Sequence, residues 1–243
     1  MATAPYNLVA FLDERSEDSG SSRTLITGCC IFLRHHWFNL SHEAAKAGQV
    51  KARRQLKTLQ DVLERIHGIA VVAQATGPRS EYLSGEMDAT GDIAAMSRAD
   101  NIWSQMMAFT ICAGIARLHR SRMPLGLVEV YYDSKSLKAD HRAVFEATIR
   151  RNIAKAARDA VSEHPERFNI NQDHLTFGAI EQISKRTHGT KPTPYQQGTL
   201  LADILCRQWK HIAARGEHGR FLVKDFSGHV DRTLQAFTES QPL

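Results

Sequence analysis

The chain has 243 residues, 42% hydrophobic and 23% charged, with 15 glycines and 7 prolines; this composition excludes a disordered or fibrous protein and suits one large α/β domain. Its 31 Lys and Arg against 26 Asp and Glu leave a net charge of +5, which permits a polyanionic partner without demanding one. Cys29, Cys30, Cys112 and Cys206 lie in apolar runs with no CxxC spacing, which points away from zinc and from a disulfide framework; the opening MATAPYNLVAFLDERSED lacks a positive n-region and no apolar run would span a bilayer, so a cytoplasmic protein without a membrane part is expected.

Residues 6 to 13 (YNLVAFLD) and 24 to 33 (TLITGCCIFL) predict two strands joined by the loop SEDSGSS, a hairpin. From Ser41 to Ile66 the period becomes helical, with Leu56, Leu59, Leu63 and Ile66 on one stripe, until Gly68 ends it. GIAVVAQA (68 to 75) reads as a buried strand and is followed by a Gly-, Pro- and Ser-containing acidic loop. A long helix is predicted over about 93 to 121, then a strand LGLVEVYYD (125 to 133), a helix over about 139 to 162 and a fifth strand HLTFGAIEQIS (174 to 184). Thr193-Pro194-Tyr195-Gln196 has the form of a capping box with Pro at N1, opening a helix that reaches about Ala214.

The order β-β-α-β-α-β-α-β-α, with no internal repeat, predicts an α/β fold whose last strands join a partly parallel sheet through right-handed crossovers. The domain is expected to span 1–214, and residues 215–243 to form a C-terminal tail that packs on the domain or on a partner subunit.

Three carboxylates stand out. Asp13 ends the first strand, with Glu14 behind it, and Asp133 ends the fourth; sites in α/β sheets gather beyond the carboxyl ends of parallel strands. The bland alternative is an acid that begins a turn. Asp203 sits in LLADILC, flanked by apolar residues and beyond the first helical turn, where an ionised carboxylate needs a partner. Metal coordination supplies one; an ion pair with Arg207, four residues on, or a surface orientation is the other reading. Two strand-end acids and a late-helix acid are what a two-metal phosphodiesterase requires, since hard divalent ions take carboxylate oxygens.

These segments carry a resemblance. FLDERSED with Asp13 and Glu14, VEVYYDS with Asp133 and QQGTLLADIL with Asp203 resemble the motifs of the domain-of-unknown-function 3800 family, within the ribonuclease H-like superfamily. Arg15-Ser16 stands where that family usually has Ser-Gly. The resemblance covers about residues 6 to 214 and implies a ribonuclease H-like mixed five-stranded sheet flanked by helices. It also implies a metal-dependent nuclease with Asp13, Asp133 and Asp203 as ligands to Mg²⁺ or Mn²⁺. Glu14, Asp100 and Glu181 are candidates for a fourth acid, Glu14 foremost. The alternative is a catalytically inactive nucleic-acid-binding or assembly subunit of the same fold.

Basic residues flank the acids. Seven Lys and Arg against three Asp and Glu lie between Arg34 and His67, and ten against four between Arg117 and Arg158, the excess that phosphate contacts with DNA or RNA favour. Lys135 and Lys138 follow Asp133, and Lys185 precedes the Asp203 helix, so these three are the expected substrate contacts; a solvated lysine is the bland reading of each. No Walker loop or GxSxG elbow occurs, and the histidines lack ligand spacing. Ile102, Trp103, Met106, Met107, Phe109, Ile111 and Ile115 point in more directions than one sheet-facing stripe absorbs, so cover by the first helix, by the tail around Phe221, Phe226 and Phe237, or by a second subunit in a homodimer is expected.

Overall fold

The computed structural model describes residues 6–44, 47, 50–78, 98–118, 125–133, 142–143, 146–147, 150–151, 177–183 and 191–227. Within them lie six strands: β1 (Tyr6–Ser19), β2 (Ser22–Leu33), β3 (Ile69–Pro78), β4 (Leu125–Asp133), β5 (Phe177–Ile183) and β6 (Phe221–Asp225). The helices are α1 (Arg34–Leu40), α2 (Ala52–Arg65), α3 (Arg98–Leu118) and α4 (Pro194–Arg215), with a 3₁₀ turn at Ser41–Ala44. One mixed sheet runs in the order β5-β4-β1-β2-β3-β6. β2 is antiparallel to β1 and to β3. β4 is parallel to β1 and to β5, and β6 is parallel to β3.

The expected five strands are therefore corrected to six. The sixth, FLVKD, lies beyond residue 214 and pairs Ala70 with Phe221 through Gln74 with Asp225. Five residues of mixed polarity carry little periodic signal; the strand forms because β3 offers it a free edge of backbone donors and acceptors.

Strands with both faces covered read as nearly continuous apolar runs. One face of the sheet buries Leu8, Ala10, Leu12, Cys29, Ile31, Val71, Val130 and Tyr132 with Met107, Ile111 and Ile115 of α3. The other buries Val9, Phe11, Ile26, Cys30, Phe32, Val72 and Tyr131 with Trp37 of α1, Leu59 and Leu63 of α2, and Leu201, Ile204 and Leu205 of α4. The apolar surplus of α3 is partly absorbed within the chain: Ile102 and Met106 join Leu25, Ala73, Ala75 and Phe226, and the Phe109 ring lies 5.3 Å from that of Phe226. Phe237 lies outside the described residues.

β1 runs six residues past Asp13 into the segment expected to be a loop. ERSEDS pairs with Thr27 to Ser22 across a two-residue turn in which Gly20 has φ 59°, a conformation glycine adopts at no steric cost. Of the helix expected over 41 to 66, the described residues show the 3₁₀ turn at Ser41–Ala44 and α2 at Ala52–Arg65, while α1, at Arg34–Leu40, precedes it as a helix that was not expected. The capping box forms as expected: Gln196 N donates to Thr193 Oγ1 (3.2 Å), and Thr193 N donates to Gln196 Oε1 (3.0 Å). The expected helix over 139 to 162 lies mostly outside the described residues. No helix among the described residues is long and apolar enough to cross a membrane.

Candidate active site

Alternation along a strand decides which acids share a face. In β1, Val9 and Phe11 face α4 while Leu8, Ala10 and Leu12 face α3, so Asp13 leaves the sheet on the α4 side. In β4, Tyr131 faces α4 and Val130 and Tyr132 face α3, so Asp133 is on the α4 side too. Leu12 pairs with Tyr132 in the parallel ladder, which makes Asp13 and Asp133 the next residues on neighbouring strands, both at carboxyl ends of a parallel pair. That is where sites of α/β sheets form.

Asp203 comes to the same place because α4 lies unusually close to the sheet. A Cβ on Gly28, the β2 partner of Asp13, would stand 2.7 Å from Ala202 O and 3.0 Å from Cys206 Sγ; one on Gly198 would stand 2.3 Å from the Phe11 ring. The two glycines let α4 settle on β1 and β2, and Cys206 Sγ donates to the backbone oxygen of Asp13 at 3.3 Å. Residues 202, 203 and 206 of the helix are thus fixed over β1 at Asp13. Sequence reasoning missed Gly28, Gly198 and Cys206; only Gly28 and Cys206, small residues in apolar runs, carried any signal.

The electrostatics follow from the geometry. Asp13 is 9% exposed, and its carboxyl is pushed up to about 8, first by burial and then by the charges of Glu14, Asp203 and Asp133; a hydrogen bond from Glu14 N to Asp13 Oδ1 at 2.9 Å opposes this weakly. Like charges gathered in low dielectric disfavour ionisation. Among the described residues no cation forms an ion pair with Asp13.

Asp203 is placed differently. Arg207 Nε donates to Asp203 Oδ1 at 2.8 Å and Arg207 Nη2 donates to Oδ2, a fork across both oxygens, so the ion-pair reading of this residue is realised. Glu14 faces the α3 side, opposite Thr27 in the antiparallel ladder, though its charge still acts on Asp13. Glu181 faces α4 from β5, beside Tyr131, and is exposed. Asp100 lies in the first turn of α3, on the far side of the sheet. Lys135, Lys138 and Lys185 lie outside the described residues.

The donor set suits a hard divalent ion in kind: oxygen ligands only, from two neighbouring rigid strands and one pinned helix, with mutual repulsion that a cation would relieve. As the side chains stand they are arranged for Arg207 instead. Among the described residues no three of His, Cys, Asp and Glu are grouped closely enough to hold one ion.

No protein-family model and no curated protein matches the chain, so the resemblance to the 3800 group rests on its three short motifs. Among solved structures the chain is similar to the ribonuclease H2 from Pyrococcus horikoshii OT3, at 11% identity over 96% of this chain and 76% of that one, with a TM-score of 0.43.

Proposed function

We propose that the chain is a metal-dependent nuclease of ribonuclease H-like fold, hydrolysing phosphodiester bonds of DNA or RNA, with Asp13, Asp133 and Asp203 holding Mg²⁺ or Mn²⁺. The observation that carries this reading is the convergence of the three carboxylates on one face: Asp13, already pushed up by burial and by Glu14, is raised further by the charges of Asp203 and Asp133. When bound, such ions activate a water and stabilise the leaving oxygen. The protein's part is placement. β1 and β4 hold Asp13 and Asp133 on adjacent rigid backbones, and Gly28 and Gly198 bring Asp203 over them. Glu14 supports the site from the other face, its amide N–H fixing Asp13 Oδ1 and its charge adding to the pull on a cation. Lys135 and Lys138, next in the chain after Asp133, and Lys185, just after β5, would contact substrate phosphates.

The test is cleavage of labelled DNA and RNA with Mn²⁺ or Mg²⁺. Asp133→Asn is expected to lower the rate by roughly 100-fold or more, since losing even a group that only supports a metal ligand costs 10- to 100-fold. Equal residual cleavage in both proteins would end the enzyme reading. The ion pair between Arg207 and Asp203 favours a second reading, an inactive nucleic-acid-binding or assembly subunit, whose mark would be nucleic-acid binding that neither divalent ions nor Asp133→Asn alters.

Self-association through α3 belongs to the same proposal. Trp103 and Phe109 stay half-buried after Phe226 has packed. Light scattering should then give a mass near twice 27.2 kDa, and a monomer at every concentration would remove the dimer.

A further inference from the structure

Three basic side chains beside Asp13 and along α4 are tied to acids of the chain itself. Arg15, two residues past Asp13 and on the same face, lies 3.4 Å from Glu17. Lys210, on α4, holds the other oxygen of Glu17 at 2.7 Å. Arg207 holds Asp203. The three pairs differ in one respect: Glu17 has no part in the proposed metal site, whereas Asp203 is one of its ligands. Arg207 is therefore the cation that a metal ion would displace.

On the reading that Asp203 binds metal, we propose that Arg207 is a built-in counter-ion that occupies Asp203 in the metal-free protein and, once the ion takes that carboxylate, turns to the substrate phosphate, so that metal and nucleic acid bind cooperatively. The fork uses both carboxylate oxygens, Nε on Oδ1 at 2.8 Å and Nη2 on Oδ2, so an ion reaches Asp203 only by breaking it. The exchange is cheap. The Arg207 side chain is 52% exposed and that of Asp203 24%, and an exposed i,i+4 ion pair is a weak one. The freed guanidinium stays one helical turn from the metal ligand, within reach of a phosphate held there, and its planar fork matches two phosphate oxygens as well as two carboxylate oxygens. A protein without metal thus carries a neutralised rim, and metal loading exposes one positive group where the substrate must arrive.

Calorimetric titration of Mn²⁺ into the full chain tests this, with and without a phosphorothioate oligonucleotide duplex. Without the duplex, Arg207→Gln should bind Mn²⁺ about three- to tenfold more tightly than wild type, because the competitor is gone. Lys210→Gln removes the same charge three residues on and should change the affinity by less than about twofold. The duplex should tighten Mn²⁺ binding to wild type and leave Arg207→Gln nearly unchanged, since coupling is reciprocal. Unchanged or weaker Mn²⁺ binding in Arg207→Gln, or an equal gain in Lys210→Gln, would overturn the counter-ion role while leaving the metal site standing. No Mn²⁺ uptake by any of the three proteins would overturn both.

Discussion

Asp13 and Glu129 are both 9% exposed, both leave the sheet on the α4 face, and stand on neighbouring parallel strands in which Val9 pairs with Glu129. Their surroundings are opposite. Glu129 receives a hydrogen bond from Arg34 Nε at 2.9 Å, and the Arg34 guanidinium lies 4.9 Å over the Phe38 ring; the pairing holds Arg34 above its ordinary range. Asp13 has three acids around it and no ion pair among the described residues. A buried carboxylate with a dedicated cation is a structural solution to burial, whereas one surrounded by like charge is destabilised on its own and calls for an external partner. Glu129 lies about 13 Å from Asp133 along β4, so the sheet keeps the two arrangements apart.

The two carboxylates differ most in how stability should depend on pH, where the largest effect is expected. Asp13 has a folded-state value of about 8 against an ordinary 3.8, so between these values the folded chain holds a proton that the unfolded chain has lost. Its contribution to stability is present in full below about pH 4 and is lost as pH rises towards 8. Metal-free Asp13→Asn should lack that slope. Above pH 8 it should be more stable than wild type by an amount on the order of a few kcal/mol, because each tenfold change in proton affinity is worth about 1.4 kcal/mol. Saturating Mn²⁺ should restore the wild type and leave the variant unmoved. Urea denaturation from pH 4 to 9, with and without Mn²⁺, measures both. Parallel profiles for the two proteins would show that Asp13 carries no such penalty.

Much of this site could be read before the fold was known, and the limits of that reading are physical. The positions of Asp13 and Asp133 are marked by apolar runs stopping at an acid, although at Asp13 only the pairing with β4 stops and β1 itself runs on to Ser19; the start of α4 is marked by a complete capping box. Position along a strand is legible; face is not, when both faces are buried. LVAFL is apolar at every position, so nothing in it separates the side of Asp13 from that of Glu14. Arg207 was visible at i+4 from Asp203, yet spacing alone does not decide between an ion pair and a metal ligand. The ERSEDS arm of β1 was hidden for a different reason: it is held by backbone pairing with β2 rather than by buried side chains, and its polar composition matches a loop. α1 has Leu33 at its N-cap with no side-chain hydrogen bond, so no start signal exists for it. It forms where Trp37 can pack on Phe11 and Phe32, with ring centroids 4.8 and 4.6 Å away.

The smaller expected effect lies at Glu129, where the comparison can be broken from the other side. Arg34→Gln leaves a carboxylate of low exposure with no guanidinium beside it. Because the Arg34 side chain is itself 42% exposed, water replaces part of what is lost, and the cost should be about 1–2 kcal/mol at pH 7 rather than the larger penalty of a fully buried pair. Adding Glu129→Gln should recover most of that loss, since two neutral amides in place of the pair leave no buried charge. Neither change should alter the response to Mn²⁺, because Glu129 stands apart from the three converging acids. Denaturation midpoints of the two single variants and the double variant form the cycle that measures the coupling. A coupling near zero would show that Arg34 does not hold Glu129. A lost Mn²⁺ response in Glu129→Gln would place that residue inside the site and remove the distinction between the two carboxylates.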